Sequence, residues 1–127
     1  MARILVADDE EAIRSLVARA LRQDGHEVTT ARDGAEALDL LARASGAFEL
    51  LLTDIRMPVM DGIALALTAA RDHPAVTILL MTGYADQRER ASGLDALIHD
   101  VLNKPFSLAM MREAVDGALA ASAGRAH

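Results

Sequence analysis

Apolar positions along this chain fall into two periods. Ile4-Leu5-Val6-Ala7, Leu50-Leu51-Leu52 and Val76 to Met81 are short continuous apolar runs bounded by acids or turn residues. Such runs read as strands buried on both faces. Between them, apolar residues return at helical spacing. Ile13, Leu16, Val17, Ala20 and Leu21 form one stripe, and Arg14, Arg19, Arg22 and Gln23 lie off it. Gly25 stops that helix. Glu27 to Ala31 alternates in polarity and is rich in Val and Thr, which suits an outer strand. Asp33, with Glu36 three residues on, reads as the cap of a helix running to about Ala44, and Ser45-Gly46-Ala47 breaks it. Asp61 caps a helix carrying Ile63, Ala66, Leu67 and Ala70. A last strand, about Asp100 to Asn103, ends at Lys104-Pro105. Ser107 caps a final helix with Leu108, Met111, Val115, Ala118 and Leu119 on one side. Residues 1–120 read as one domain and 121–127 as a flexible tail.

One segment breaks the pattern. Asp86-Gln87-Arg88-Glu89-Arg90 is almost entirely charged, and Ser92-Gly93 is a poor helix interior. A helix here has little apolar surface to anchor it. Five strands thus alternate with five helical segments. That alternation predicts an α/β fold: a doubly wound parallel sheet with right-handed crossovers and helices on both faces. The first, third and fourth strands should be central, and the last should be an edge.

Composition narrows the picture. Hydrophobic residues make up 52% of the 127 positions but aromatics only 2%, so Leu, Ile, Val, Ala and Met must fill the core. No cysteine is present, which removes disulfides and thiolate metal sites. A net charge of −6 argues against general affinity for nucleic acid or anionic lipid. No secretory signal or membrane-length apolar run appears, so a cytoplasmic protein is expected.

In a parallel sheet of this kind all strand C-termini meet at one edge. That edge collects Asp8 and Asp9, Asp54, Thr82 and Lys104. Taken singly, each has a plainer account. Asp54 suits a solvated loop, and Asp8 and Asp9 suit the dipole of the first helix. Thr82 suits a turn, and Lys104-Pro105 a strand boundary. Together they describe a site. Clustered carboxylates repel one another, and a hard divalent cation relieves that; oxygen donors point to magnesium. An ammonium and a hydroxyl beside them suit phosphoryl transfer onto Asp54.

At this point the chain resembles the receiver domain of bacterial two-component response regulators. The motifs are Ala7-Asp8-Asp9-Glu10, Asp54-Ile55-Arg56-Met57-Pro58 with Asp61-Gly62, Met81-Thr82-Gly83 and Lys104-Pro105-Phe106. The resemblance implies a flavodoxin-like (CheY-like) five-stranded sheet in the order 2-1-3-4-5. It implies phosphorylation of Asp54 by a histidine kinase or histidine phosphotransferase. Asp9, Asp54 and the backbone carbonyl of Arg56 would bind Mg2+, with Asp8 acting through a water. Thr82 and Lys104 would contact the phosphoryl oxygens, and the peptide before Pro105 would be cis.

The chain departs from the family pattern at Val101, where an aromatic switch residue often stands three positions before the lysine. Arg56, Tyr84 and Val101 are candidate gate positions, with Arg56 and Tyr84 expected to slow attack of water on the phosphoryl group. No DNA-binding output segment is expected after the last helix. The run Leu79 to Ala91 and Val101 are similar to stand-alone CpdR-type receivers of alphaproteobacterial cell-cycle control. That similarity implies an adaptor role toward the ClpXP protease. Two other readings remain: a phosphate shuttle or sink without an effector, and a Mg-dependent aspartyl phosphohydrolase. The hydrolase is disfavoured because position 56 is Arg rather than a second acid. A dinucleotide oxidoreductase is disfavoured because no Gly-x-Gly-x-x-Gly follows the first strand.

Overall fold

The computed structural model describes residues 2–44, 47–83 and 91–125. The elements are β1 (Arg3–Ala7), α1 (Glu11–Gln23), β2 (Glu27–Ala31), α2 (Gly34–Arg43), β3 (Leu50–Asp54), α3 (Gly62–Asp72), β4 (Thr77–Thr82), a 3₁₀ turn (Ser92–Leu94), β5 (Asp100–Asn103) and α4 (Leu108–Arg125). The strands form one parallel sheet in the order β2-β1-β3-β4-β5. This is the doubly wound order expected, with β2 and β5 at the edges.

The continuous apolar runs have a direct cause. Alternate side chains of each central strand enter opposite cores. Leu5, Leu51, Ile78 and Leu80 pack with Leu41 of α2 and Leu65 and Ala69 of α3. Ile4, Leu50, Leu52, Leu79 and Met81 pack with Val17 and Leu21 of α1 and Met111 and Val115 of α4. Every residue of β3 and β4 is buried.

The helix ends are chemically specified. Asp33 and Asp61 accept hydrogen bonds from the Glu36 and Ala64 amides at 2.8 and 2.9 Å. The Glu36 carboxylate reaches back to the Arg32 amide at 3.1 Å. Ser107 Oγ accepts from the Met110 amide at 3.1 Å. At the end of α1, Gly25 has φ +91°. Its amide donates to the Arg22 carbonyl at 3.0 Å, and the His26 amide donates to the Leu21 carbonyl at 3.1 Å. These paired bonds form a Schellman stop. Arg112 of α4 adds a clamp, donating to Asp24 at 2.9 Å and to the Ala20 carbonyl at 3.4 Å.

Four details differ from the sequence expectation. Of the five helical segments expected, four are α-helices among the described residues. Residues 86–90 lie outside the described residues, and Ser92–Leu94 is a 3₁₀ turn, where Gly93 weakens a regular α-helix. Leu16, placed on the buried stripe of α1, is 50% exposed. In α3 the buried residues are Gly62, Leu65, Ala66 and Ala69, while Leu67 is exposed. The start of α3 fixes that rotation: a Cβ at Gly62 would collide with the Asp54 carbonyl oxygen, so the helix lies directly against the end of β3. Finally, α4 continues to Arg125, beyond the Ala120 end expected for it.

The loop from β3 to α3 holds local strain. Val59 has φ +69°, and the Met60 amide donates to the Pro58 carbonyl at 2.7 Å. That is a γ-turn whose centre has positive φ, an unfavourable place for a β-branched residue. The Val59 side chain is 84% exposed, so little burial offsets the strain. Val59→Gly should therefore raise stability by about 0.5–1 kcal/mol, after the entropic cost of glycine. Chemical denaturation measures this, and an unchanged or lowered midpoint contradicts the assignment of strain.

Candidate functional site

The C-terminal edge of the sheet gathers groups from three strand ends. Asp8 follows β1. Its amide donates to the Ala31 carbonyl at 3.1 Å, and its Oδ1 accepts from the Glu10 amide at 2.9 Å. Asp54 ends β3, and its Oδ1 accepts from the Ile55 amide at 2.9 Å. Lys104 follows β5, its amide bonded to the Thr82 carbonyl at 2.7 Å, and the Lys104–Pro105 peptide is cis. The lysine ammonium then reaches across the sheet edge. Nζ lies 2.9 Å from Asp8 Oδ2, 3.2 Å from Asp54 Oδ2 and 3.6 Å from Glu10 Oε1.

Burial makes this cluster electrostatically demanding. Asp8 is fully buried and Asp54 is 5% exposed. Burial raises the Asp54 carboxyl to about 6, the Asp8 charge adds to that rise, and Lys104 and the Ile55 amide oppose it. Burial by itself would lower Lys104. The Asp8 hydrogen bond and the charges of Asp54 and Asp8 outweigh it, so the ammonium is held more firmly than in water. Among the described residues, no buried side-chain nitrogen or oxygen lacks a hydrogen-bond partner.

The carboxylates of Asp8, Glu10 and Asp54 each place one oxygen within 4.8 Å of the others. An all-oxygen donor set at the rim of a cleft fits a hard divalent cation. The cleft has a volume of about 440 Å³. Asp54, Glu10 and Lys104 line its polar side, and Ile13, Leu16, Pro105 and Phe106 line an apolar shelf.

Sequence reasoning had named Asp8, Asp54 and Lys104, and the structure brings these three together. Asp9 is exposed and is not among the converging oxygens. Glu10 converges instead and had not been singled out. The chain is still extended at Glu10, with φ −83° and ψ 108°. Alternation along an extended segment puts residues 8 and 10 on the same side. That two-residue period was the available signal within a run of four acids. Thr82 is buried at the end of β4, in register with Asn103. The Arg56 side chain is exposed just beyond β3. Val101 is half-buried and packs on the α2–α3 core. Tyr84 lies outside the described residues.

Comparison with known proteins agrees with this arrangement. The family model for the response regulator receiver domain matches residues 4–116. The chain belongs to the response regulator receiver domain family. It is thus a receiver domain of a response regulator in two-component signalling. The receiver is 40% identical over 106 residues to response regulator MprA of Mycobacterium avium, covering 84% of this chain and 46% of that protein. The chain therefore spans less than half the length of the curated relatives it matches. A CheY-like receiver domain protein from Methanospirillum hungatei superposes with a TM-score of 0.86 at 28% identity, covering 98% of each chain. TrrA from Thermotoga maritima, solved in complex with Mg2+ and BeF, superposes with a TM-score of 0.81 at 32% identity, covering 93% of this chain and 99% of that one. Among the described residues of the receiver, no helix is long and apolar enough to cross a membrane.

The raised Asp54 pKa carries a stability consequence. The folded receiver holds the Asp54 proton up to about pH 6, whereas the unfolded chain releases it near 3.8. Between those values the folded state binds more protons, so this group's contribution to stability falls as pH rises and its penalty is complete above about pH 6. Asp54→Asn removes the penalty. The variant should be more stable than the parent above pH 7 by roughly 1–2 kcal/mol, allowing for partial screening, and should lose that advantage near pH 4. Thermal unfolding across this range is the measurement, and a gain that does not vary with pH contradicts it.

Proposed function

We propose that Asp54 is a phosphoacceptor that takes a phosphoryl group from a phosphohistidine donor and thereby switches protein–protein contacts. The observation that carries this reading is the Lys104 ammonium, 2.9 Å from Asp8 and 3.2 Å from Asp54. It supplies a fixed positive charge where phosphoryl oxygens would gather. An ionised Asp54 oxygen attacks phosphorus, the bond to the donor imidazole breaks, and the carboxylate becomes an acyl phosphate. Attack requires the ionised carboxylate, the form that the adjacent Lys104 ammonium favours.

Asp8, Asp54 and the Arg56 main-chain carbonyl would hold Mg2+, with Asp9 or Glu10 at the rim. When bound, the ion supplies a second positive charge to the transferring group. The structure of TrrA, which carries Mg2+ and BeF, supports an ion of this kind in a related receiver. Thr82 would donate to a phosphoryl oxygen. The Arg56 side chain would shield the acyl phosphate from water, so Arg56→Asn should shorten its lifetime.

A donor surface adjoins the site. Leu16 is half exposed on α1 and shares its cleft with Ile13, Pro105 and Phe106. This apolar shelf suits contact with a histidine kinase or phosphotransferase. An adaptor role toward the ClpXP protease is a finer form of the same switch, and sequence resemblance alone supports it.

The test uses a small phosphodonor with Mg2+ and intact mass. One phosphoryl group should be gained by the parent and none by Asp54→Asn; labelling retained in Asp54→Asn overturns the assignment. Leu16→Glu should slow transfer from a phosphorylated histidine protein by roughly tenfold, in the range of an interface anchor. It should leave labelling by the small donor unchanged, and equal slowing of both would remove the shelf from donor recognition.

A further inference from the structure

The described residues carry one other concentration of charge. A concavity of about 570 Å³ opens between α1 and β2, and none of its lining residues belongs to the Lys104 cluster. Arg14, Arg19 and Arg22 surround it, Ser15 and Thr30 contribute hydroxyls, and the buried Ala18 forms its floor. These arginines differ from most of the others. Arg3, Arg32, Arg43, Arg71 and Arg112 each pair with a carboxylate. Among the described residues, Arg14, Arg19 and Arg22 pair with none.

Two of the three are held in place. Arg14 Nη1 donates to the Asp8 carbonyl at 2.9 Å, and Arg22 Nη2 donates to the Val28 carbonyl at 2.9 Å. Each bond uses one donor of a five-donor fork and leaves the guanidinium charge unneutralised. Anchored in this way, a side chain loses less freedom when a ligand arrives. A chain of net charge −6 thus concentrates uncompensated positive charge on one outer face. Surface arginines are ordinarily solvated and scattered. Here they converge on a small-residue floor with hydroxyls beside them.

We propose that this concavity is a docking site for an acidic, carboxylate-bearing segment of a partner protein. Charge complementarity and forked donors favour carboxylates. The lining contains no aromatic ring, so nothing is available to stack a nucleotide base. The open surface favours an extended side-chain-rich segment over a compact enclosed ligand. The site is independent of the proposed phosphoacceptor chemistry. It nevertheless touches the same strand exit, because Arg14 holds the carbonyl of Asp8.

The test titrates the full chain with a synthetic octapeptide of alternating Glu and Ser, followed by backbone amide shifts. Shifts should concentrate on residues 14–23 and 28–31, and binding should weaken as added salt screens the charges. Arg19→Glu and Arg22→Glu should each weaken binding at least tenfold, whereas Arg43→Glu on α2 should leave it unchanged. All three positions are exposed, and unfolding midpoints verify that the variants remain folded. Equal binding by Arg19→Glu and Arg43→Glu overturns the proposal, as do shifts centred on Lys104. Tripolyphosphate binding more tightly than the peptide also overturns it, making the concavity a small-anion site.

Discussion

The constraint on which this molecule depends is the burial of carboxylates beside one ammonium. Asp8 is fully buried and Asp54 nearly so, at the ends of adjacent strands. Two such groups in a low-dielectric edge repel each other and lose hydration. Lys104, delivered from the far edge strand, is the cation that makes the arrangement tenable. The sheet order follows the same logic. β1 and β3 are neighbours, so the two acids are neighbours, and β5 lies one strand beyond β4, within reach of a lysine side chain. The cluster remains in electrostatic tension, as the raised Asp54 carboxyl shows.

Steric constraint reinforces the electrostatic one. Gly62 must lack a side chain because α3 begins against the Asp54 carbonyl, and its amide bonds to the Ile55 carbonyl at 2.7 Å. Gly34 is constrained in the same way by the Met60 carbonyl, and their backbones are joined by a 3.1 Å hydrogen bond. The segment after Asp54 is therefore gripped by α2 on one side and α3 on the other. Between these grips sits the positive-φ Val59. The loop that follows the buried Asp54 carboxylate is tightly placed and locally strained at once.

Much of this was legible in the sequence, for identifiable reasons. Central strands were readable because burial on both faces demands unbroken apolar runs, as in Leu50-Leu51-Leu52. Caps at Asp33, Asp61 and Ser107 were readable because their chemistry is local. The convergence of Asp8, Asp54 and Lys104 followed from parallel topology alone. What escaped depended on rotation about an axis. Periodicity put Leu16 on a buried stripe, yet a helix stripe has margins, and the margin nearest the site stays open. On α3, Ile63, Ala66 and Ala70 face the core as read, and only Leu67 turns outward, because the contact of Gly62 with the end of β3 sets the roll of the helix. Glu10 was hidden in a run of acids because only the local backbone angle decides which of them turns inward. The end of α4 lies beyond the Ala120 expected because Ser122 and Gly124 read as a frayed end, yet the helix runs through them to Arg125.

The fastening of α1 has a consequence of its own. Arg14 ties its first turns to the β1 exit, the Schellman stop closes its last turn, and Arg112 clamps that end to α4. The helix is thus braced at both ends like a rail. A protein surface brought against Leu16 would meet a helix already fastened, with little ordering left to do on contact. In mechanical terms α1 is a fastened element, tied to the β1 exit at one end and to α4 at the other.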